Sequence, residues 1–520
     1  MSIFVKKSIA DCEAEASLGT GLRRTLTKWH LTALGVGATI GAGIFATTGT
    51  AIVGDASRPG AGPAIVFSFL LTAVACGFAA LCYAEFAAMV PISGSAYTYS
   101  YAALGEFVAW IIGWDLIVEY AVGNIGVAIG WSGHFRELLS HLGVSMPPWL
   151  STDYRSAHDA FSALAGGATD GPTRFLASAW SGAPHFLGLP VIVNLPAAAV
   201  VLVMTVVLVK GVRESARFNN AMVLLKIGII LFFIAVGVFL INPANWTNPA
   251  DGGFAPNGFK GVSAAAAIIF FAYIGFDAVS TAAEEAENPA RDMPFGIIAS
   301  LIICTVLYVA LSVVMTGMAP WKQLGTAEPM ITALQYANGP AVLLNASRFI
   351  IALGAVIAMG SVLLVFQMGQ PRIFFSMARD GLLPPFMAKV HPKYRTPWVG
   401  TIITGTFVAS FAAFANIAEV VDLTNIGTLF AFVLVSIGVI VLRKTDPDRR
   451  RPFRVPGAPY TPLISVAACL YLMLQLPRIT WMRFGIWLLL GLVIYFVYGY
   501  RHSKIRTGKR PRVETTGAGH

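Results

Sequence analysis

Charged residues are scarce in this chain. Asp, Glu, Lys and Arg make up 12% of its 520 residues, about half of their usual share in soluble globular proteins. Hydrophobic residues make up 56% of the chain, and the mean hydropathy is +0.70. This composition excludes a soluble globular protein and indicates an integral membrane protein.

Cysteines and catalytic motifs are also few. Five cysteines are dispersed through the chain without metal-ligand pairs or the spacing of a secreted disulfide framework, so we expect free thiols and no metal site. The sequence contains no H-E-x-x-H, G-x-S-x-G or Walker motif. We therefore expect neither an enzyme nor a cofactor. The cysteines are Cys12, Cys76, Cys82, Cys304 and Cys469.

Long apolar runs are abundant, and each is long enough to cross about 30 Å of hydrocarbon as a helix. They predict an all-α protein with twelve membrane helices. The predicted spans, numbered here as helices 1 to 12, are 31–50, 63–90, 103–133, 190–209, 217–241, 261–282, 295–319, 341–368, 398–415, 419–441, 461–477 and 484–500. The first thirty residues lack the short apolar core and cleavage site of a signal peptide, so helix 1 is expected to be retained.

The Lys and Arg residues predict the orientation. With a cytoplasmic N-terminus, 26 of the 36 fall on the cytoplasmic side, about 9 on the other side, and Lys226 within a helix. This asymmetry follows the positive-inside rule and places both termini in the cytoplasm. Anionic membrane lipid accounts for the net charge of +10 without nucleic acid. The sizeable outer loop, 135–189, is expected to be a lid or spacer, and its stretch "SALAGGATDGPT" is expected to be irregular.

Glycines are concentrated in helix 1, where "LGVGATIGAGIF" has four in twelve residues. A dinucleotide-binding loop is excluded because Ile40 stands where its third glycine belongs. Gly37 and Gly41 form a G-x-x-x-G pattern, which favours close helix packing. Alternatively, the segment from Thr39 to Ile44 is unwound and lines a cavity, the setting in which unpaired backbone is tolerated at membrane depth.

A second interrupted helix favours the unwound alternative. Helix 6 carries Gly275 within an aromatic run and Asp277 two residues later. Interruptions in helices 1 and 6 are expected if helices 1–5 and 6–10 are inverted repeats, as in many secondary transporters. Sequence identity between the two halves is negligible, so this inference rests on the spacing alone.

Several motifs resemble the bacterial cationic-amino-acid-transporter branch of the amino acid–polyamine–organocation superfamily. They are "GATIGAGIF", "ALCYAEFAAMVPISGSAYTYSY", "WIIGWDLIVEY", "FFAYIGFDAVSTAAEEAENPARDMP", "RDGLLP" and "LTNIGTLFAF". The resemblance, which covers residues 20 to 500, implies a LeuT-type fold with two inverted five-helix repeats and proton-driven amino acid uptake. The implied organisation is a tail at 1–30, a core at 31–441 with repeats 31–241 and 261–441, peripheral helices at 461–500, and a basic tail at 501–520.

An amino acid presents a carboxylate and an ammonium group that must be desolvated together. N–H groups freed in helix 1 suit the carboxylate through the positive end of a half-helix. Freed carbonyl groups suit the ammonium. The predicted N–H donors are Gly41, Ala42 and Gly43, and the predicted carbonyl acceptors are Thr39, Phe271, Ala272 and Ile274. The resemblance makes Phe271 a gate, although ordinary apolar packing is the alternative. Asn425, Gly427 and Thr428 are expected to line the pocket.

Three ionisable residues within apolar runs are predicted to serve coupling. Lys226 either snorkels to the cytoplasmic surface or, as the resemblance implies, occupies the place where related transporters hold sodium. Glu119 lies too deep to reach water, and Asp115 precedes it by one turn, so the pair is expected to exchange a proton. Permanently protonated structural acids are the alternative. Glu284 and Glu285 are assigned to a gate or to the turn after helix 6.

The sequence therefore predicts a proton-coupled, sodium-independent permease for L-amino acids. An amino acid exchanger or sensor on the same fold stays open. A channel is disfavoured by the broken helices around one closed site. The expected partners are the amino acid, protons and membrane lipid. The sequence leaves open whether the substrate is neutral or cationic, and also the oligomeric state.

Overall fold

The computed structural model describes residues 5–7, 25–55, 57–89, 95–167, 171–211 and 216–508. Most of the predicted N-terminal tail, including Cys12, and residues 509–520 of the C-terminal tail lie outside the described residues. The side chain of Glu284 also lies outside this description.

Every predicted apolar segment coincides with a helix. The first six are helix 1 (Lys28–Thr39, Gly43–Thr47 and Thr48–Val53), helix 2 (Ile65–Met89), helix 3 (Glu106–Ile117, Val118–Val122 and Gly123–His141), helix 4 (Leu195–Lys210), helix 5 (Ala216–Val238) and helix 6 (Gly258–Ile269, Phe270–Ala272 and Phe276–Glu285). The others are helix 7 (Pro289–Met318), helix 8 (Ala341–Arg379), helix 9 (Trp398–Ala412), helix 10 (Ile417–Thr445), helix 11 (Tyr460–Leu474) and helix 12 (Arg478–Ile494, continued by Tyr495–Gly499).

Within the described part of the chain, nine of these helical segments are long and apolar enough to cross a membrane. Helices 4, 9 and 11 are apolar but shorter, with 15 or 16 residues each. Burial separates central from peripheral helices. Helix 6 is buried over its whole apolar window and helices 1 and 3 over about nine-tenths of theirs, whereas helix 12 is mostly exposed.

The stretch "SALAGGATDGPT", residues 162–173, is helical at both ends, where the expectation of irregular structure is wrong, and residues 168–170 lie outside the described residues. Helix 3 continues to His141, and two further helices follow at Tyr154–Ala165 and Gly171–Gly182. Asp153 caps the first by accepting a hydrogen bond from the Ser156 N–H at 2.9 Å. The two helices pack through small residues around the half-buried side chain of Trp180. Besides the buried alanines Ala157 and Ala179, the Trp180 ring of the second helix contacts Tyr154, His158 and Phe161 of the first.

Two short antiparallel hairpins complete the fold. Strand β1 (Gly54–Asp55) pairs with β2 (Arg58–Pro59) after helix 1. Strand β3 (His185–Phe186) pairs with β4 (Leu189–Pro190) before helix 4, with Phe186 opposite Leu189. Both hairpins lie on the side of the molecule opposite to the start of helix 1.

On the N-terminal side, the residues that precede helix 1 contact the end of helix 6. The N–H groups of Thr25 and Leu26 both donate to the Glu285 carbonyl, at 3.0 and 2.9 Å. The N–H of Glu287 donates to the Leu26 carbonyl at 3.0 Å. The backbone of Glu285 therefore joins the start of helix 1 to the end of helix 6.

Candidate binding site at the interruptions of helices 1 and 6

Helix 1 is interrupted within the segment that the glycine pattern singles out. The α-helix ends at Thr39, and Ile40 adopts an extended backbone with φ −75° and ψ 97°. The interruption is shorter than predicted, because residues Gly43–Thr47 form a π-helix rather than unwound chain. The hydroxyl groups of Thr47 and Thr48 both donate to the Gly43 carbonyl, at 2.7 and 3.2 Å.

Helix 6 is interrupted at Gly275. This residue has φ +121°, a backbone conformation that residues with a Cβ rarely adopt. Before Gly275, the α-helix ends in a 3₁₀ turn at Phe270–Ala272. After it, a 3₁₀ segment begins at Phe276. A Cβ on Gly275 would lie 2.7 Å from the carbonyl carbon of Ala38. The interruption of helix 6 therefore lies directly against the end of the first part of helix 1.

The two interruptions also touch at a second point. A Cβ on Gly43 would collide with the Cα of Ala272 and lie 2.6 Å from its nitrogen. No side chain fits between these two backbones. The predicted interruption has its counterpart at Ile40. The two glycines of the G-x-x-x-G pattern face different helices, since a Cβ on Gly37 would lie 2.8 Å from the Val223 side chain of helix 5, whereas Gly41 faces helix 8.

Helices 3 and 8 surround the helix 1 interruption. Gly130 of helix 3 faces Ala42 and Ala46, and a Cβ on Gly130 would lie 3.3 and 3.0 Å from their Cβ atoms. Gly41 faces helix 8, and a Cβ on Gly41 would lie 3.1 Å from Cγ2 of Val362. Small residues on helices 1 and 3 therefore bring four helices together around one centre.

The other predicted pocket residues lie around this centre. The Phe271 ring packs against Gly126 of helix 3, where a Cβ would be 3.3 Å from its Cζ. The Asn425 amide of helix 10 donates to the carbonyls of Ala267 and Ile268, at 2.7 and 3.3 Å. Asn425 thus binds helix 6 about two turns before the interruption at Gly275, and its Oδ1 has no protein partner among the described residues.

Sequence reasoning missed Tyr308 of helix 7. Its hydroxyl donates to the Thr39 carbonyl at 3.1 Å, at the last residue of the first part of helix 1. The predicted acceptor at Thr39 therefore already has one donor, and a carbonyl oxygen can accept a second. Tyr308 lies 269 residues from Thr39 in sequence, and no local pattern marks such a contact.

The buried acids are arranged differently from the predicted pair. Val118–Val122 is π-helical, which changes the angle between Asp115 and Glu119 from that of a regular α-helical turn. Asp115 faces helix 10, where its Oδ1 lies 2.8 Å from the position of a Cβ on Gly427. Glu119 lies within hydrogen-bonding reach of Asp277 of helix 6.

Asp277 connects Glu119 to the interruption of helix 6. Its Oδ1 accepts a hydrogen bond from the Gly275 N–H at 3.2 Å. Glu119 and Asp277 are 2% and 0% exposed. One oxygen of each, Glu119 Oε2 and Asp277 Oδ2, has no protein partner in the described part of the chain. The position of Asp277 two residues after Gly275 was the available sequence signal for its involvement.

Lys226 is buried against helix 1 rather than extended to the surface. Its side chain is 1% exposed, which excludes the snorkelling alternative in this conformation. The ammonium group donates to the Gly37 carbonyl at 2.5 Å, three residues before the interruption at Ile40. A small cavity lined by helices 1, 5 and 8 borders Lys226, with Ser361 on its helix 8 wall.

Ion pairs join the helix ends on both sides of the centre. On the side opposite the N-terminus, Arg58 pairs with Asp422 of helix 10 at 2.8 Å, and Arg136 pairs with Glu328 at 2.7 Å. Burial alone would raise the pKa of Asp55, but the Arg58 guanidinium beside it holds that pKa below its usual value. On the N-terminal side, Arg443 of helix 10 pairs with the buried Glu85 of helix 2.

Comparison with known proteins identifies the family. The chain matches the family model for amino acid permeases over residues 26–498. It is 47% identical over 505 residues to the branched-chain amino acid permease BcaP of Bacillus subtilis strain 168, with 97% of this chain and 99% of that protein covered. It is 44% identical over 502 residues to the methylthioribose transporter of the same organism, with 96% and 99% covered.

A more distant relative is cationic amino acid transporter 4 of Mus musculus, which is 31% identical over 630 residues, with 97% of this chain and 91% of that protein covered. These relatives are permeases and transporters, and the family resemblance predicted from the motifs is confirmed. With its many apolar helices, the chain is a multi-pass membrane protein and belongs to the amino acid permease family.

Proposed function

We propose that this protein takes up L-amino acids across the cytoplasmic membrane, driven by protons and independent of sodium. The observation that carries the proposal is the meeting of two interrupted helices at Gly43 and Ala272, within a buried centre. Transporters built from inverted repeats hold their substrates where such helices meet. We extend this to twelve membrane-spanning helices in two five-helix repeats, 31–241 and 261–441, with 461–500 peripheral.

The backbone of the interruptions is the proposed substrate site. N–H groups of Gly41, Ala42 and Gly43 would bind the carboxylate at the start of the second part of helix 1. Carbonyl groups of Phe271, Ala272 and Ile274, with Thr39, would accept hydrogen bonds from the ammonium group. Because Gly43 lies directly on Ala272, we infer that substrate binding requires these two backbones to move apart.

Alternating access is the proposed cycle. The Arg58–Asp422 and Arg136–Glu328 pairs would open together to admit substrate from outside, whereas the Arg443–Glu85 pair would belong to the cytoplasmic side. The distribution of Lys and Arg supports a cytoplasmic location for both termini. The gate role of Phe271 is consistent with the packing of its ring between helices 6 and 3.

The side chain of the substrate is the least constrained part of the proposal. The two Bacillus relatives carry names with different substrates, a branched-chain amino acid and methylthioribose. Around the backbone site, Asn425 and Thr428 are neutral, which favours neutral amino acids over cationic ones. Glu119 and Asp277 are acidic, but we assign them to proton coupling.

A ligand screen tests the substrate class. The purified protein would be melted in the presence of each of the twenty L-amino acids and of methylthioribose. A ligand present at 100 times its Kd adds about 2.7 kcal/mol to the free energy of unfolding. We expect stabilisation by a subset of neutral amino acids. Stabilisation by methylthioribose alone would contradict the proposed substrate class, and radiolabelled uptake of each stabilising ligand then distinguishes net transport from exchange.

Replacing Gly43 with alanine tests the contact between the interruptions. The new methyl group would collide with the Ala272 backbone, and such overpacking costs about 1–3 kcal/mol of stability. We expect a lower melting temperature and loss of the stabilisation by amino acids. Gly41→Ala should be milder, because its methyl group meets only the Val362 side chain at 3.1 Å.

Gly228 of helix 5 supplies the matched control. Among the described residues, a Cβ there would meet no atom within 4 Å outside its own stretch of helix. Gly228→Ala should therefore melt no lower than the wild type, since alanine stabilises helices by up to about 1 kcal/mol relative to glycine. Unchanged melting and amino acid binding in Gly43→Ala would show that the two interruptions are not held in contact.

A further inference from the structure

The β3–β4 hairpin exposes an unusually apolar surface. Phe186, Leu187 and Leu189 are 70%, 88% and 64% exposed. Residues 184–195 read "PHFLGLPVIVNL" and contain no acidic or permanently charged side chain. A contiguous apolar surface of this kind marks contact with another apolar phase rather than with water.

The tip of the hairpin has a backbone that a leucine rarely adopts. Leu187 has φ +52° and Gly188 has φ +79°. In a water-exposed turn, the first of these positions is usually filled by asparagine, aspartate or glycine. A leucine there combines an unfavourable backbone conformation with an exposed apolar side chain. Contact with water stabilises neither the conformation nor the side chain.

Helix 4, which follows the hairpin, is too short to cover the hydrocarbon core alone. Its 16 residues span about 24 Å at 1.5 Å per residue, against a core of about 30 Å. Its neighbour helix 9 has 15 residues and spans about 22 Å. The Asn194 N–H donates to the Ala413 carbonyl at 2.8 Å, so helix 4 begins at the level where helix 9 ends.

The surface beyond this level continues to be apolar. Phe411 and Phe414 are exposed at the end of helix 9, next to Ala413. Leu195, Leu202 and Val203 expose their side chains along helix 4. Exposed apolar side chains therefore follow one another along the chain from the hairpin into helix 4.

Part of the backbone of the connecting segment is bonded within the protein, which lowers the cost of contact with lipid. The N–H groups of Val191 and Val193 donate to the carbonyls of Pro184 and Trp149, at 2.8 and 2.9 Å. The Asn194 side chain accepts from Ser132 Oγ at 2.6 Å and from the Ala197 N–H at 3.3 Å. These bonds satisfy the polar groups between the hairpin and helix 4 without water.

We propose that the β3–β4 hairpin is inserted into the membrane leaflet opposite to the N-terminal side, at the boundary between headgroups and acyl chains. The side chains of Phe186, Leu187 and Leu189 contact the part of the hydrocarbon core that lies beyond the start of helix 4. The hairpin then anchors the two helices Tyr154–Ala165 and Gly171–Gly182 at the membrane surface, because Val193 is bonded to Trp149 at their base. This inference rests on the proposed membrane-spanning role of helix 4.

Lipid-depth quenching tests the insertion. In a variant carrying Cys12→Ser, the other cysteines are buried, and single cysteines at new sites can take an environment-sensitive fluorophore. Leu187→Cys and Phe186→Cys, reconstituted in phosphatidylcholine vesicles, should lose emission when spin-labelled lipids with the label near the headgroup are included. Two variants serve as references: Val203→Cys on the exposed face of helix 4, and Asp159→Cys on the helix Tyr154–Ala165, where the aspartate side chain is 70% exposed.

The references distinguish the possible failures. We expect quenching at Leu187 and Phe186 by shallow labels, at Val203 by deep labels, and none at Asp159. Quenching at Val203 without quenching at the two hairpin sites would overturn the insertion and leave helix 4 as a membrane span. If the two hairpin fluorophores are not quenched but their emission is shifted to the blue, the hairpin instead contacts a second copy of the chain. An unquenched Val203 would refute the spanning role of helix 4, and the insertion with it.

Discussion

Replacing Lys226 with alanine is expected to reduce amino acid uptake by about two orders of magnitude, the loss typical of a displaced binding group. The ammonium group donates to the Gly37 carbonyl at 2.5 Å and is 1% exposed. Its removal leaves that carbonyl without its donor and enlarges the cavity between helices 1, 5 and 8. The first part of helix 1 then loses the contact that fixes it three residues before the interruption.

The charge and the hydrocarbon stem of Lys226 have separable roles. Lys226→Met keeps a stem of similar length without the ammonium group, and it should be as inactive as Lys226→Ala if the charge matters. Uptake by wild-type protein in proteoliposomes should be the same when choline replaces sodium, because Lys226 already supplies a cation at this place. Activity in Lys226→Met, or a sodium requirement in the wild type, would contradict this role.

The positions of the helices were predictable from the sequence because hydrophobic length sets them directly. The interruption at Ile40 was also predictable, because the glycines of "GATIGAGIF" and the second interruption at Gly275 together favour unwound chain over helix packing. The helices at Tyr154–Ala165 and Gly171–Gly182 were missed, because the glycines and the proline between them dominate the local pattern, whereas the packing around Trp180 joins residues of both helices. Whether twelve helices cross the membrane in two inverted repeats stays a prediction.

The candidate site was predictable wherever its residues lie on one segment, and not where distant segments meet. The glycine pattern identified Gly41 and Gly43, but it did not show that Gly43 faces Ala272. The α-helical spacing paired Asp115 with Glu119, whereas the π-helical Val118–Val122 and the fold of helix 6 place Asp277 beside Glu119. Such contacts depend on tertiary packing, which no single segment encodes.

The buried acids suggest how proton binding would reach the substrate site. Glu119 lies beside Asp277, and Asp277 accepts a hydrogen bond from the Gly275 N–H. Two adjacent buried carboxyl groups do not both ionise readily, and in the proposed cycle the pair shares one proton. Loss of that proton would place two negative charges side by side. Their repulsion would move the start of the second part of helix 6 away from helix 3.

That movement would act directly on helix 1. The position of a Cβ on Gly275 lies 2.7 Å from the Ala38 carbonyl carbon and 2.9 Å from the Thr39 nitrogen. A displacement of Gly275 therefore changes the contact at the helix 1 interruption, where we place the substrate carboxylate. Proton release and substrate release are coupled in this scheme through Asp277 and Gly275.

Replacing Glu119 with glutamine is expected to abolish concentrative uptake while leaving exchange intact. One proton carried inward with a neutral amino acid gains about 2.3 kcal/mol per 100 mV of membrane potential, which supports a concentration ratio of roughly 50. Glutamine donates a hydrogen bond to Asp277 as a protonated glutamate would, but it releases no proton. The ratio of internal to external amino acid in proteoliposomes should therefore fall to about 1, the value without coupling.

Two variants of the neighbouring acids separate a shared proton from one held by Glu119 alone. Asp277→Asn should lose accumulation as severely as Glu119→Gln if the pair shares the proton. Asp115→Asn should be milder, because Asp115 faces Gly427 of helix 10, whereas Asp277 is bonded to the helix 6 interruption. Counterflow of labelled amino acid, measured without gradients, is the control that each variant still binds and translocates. Undiminished gradient-driven accumulation by Glu119→Gln would remove Glu119 from the coupling mechanism and leave Lys226 as the group whose proton drives the cycle.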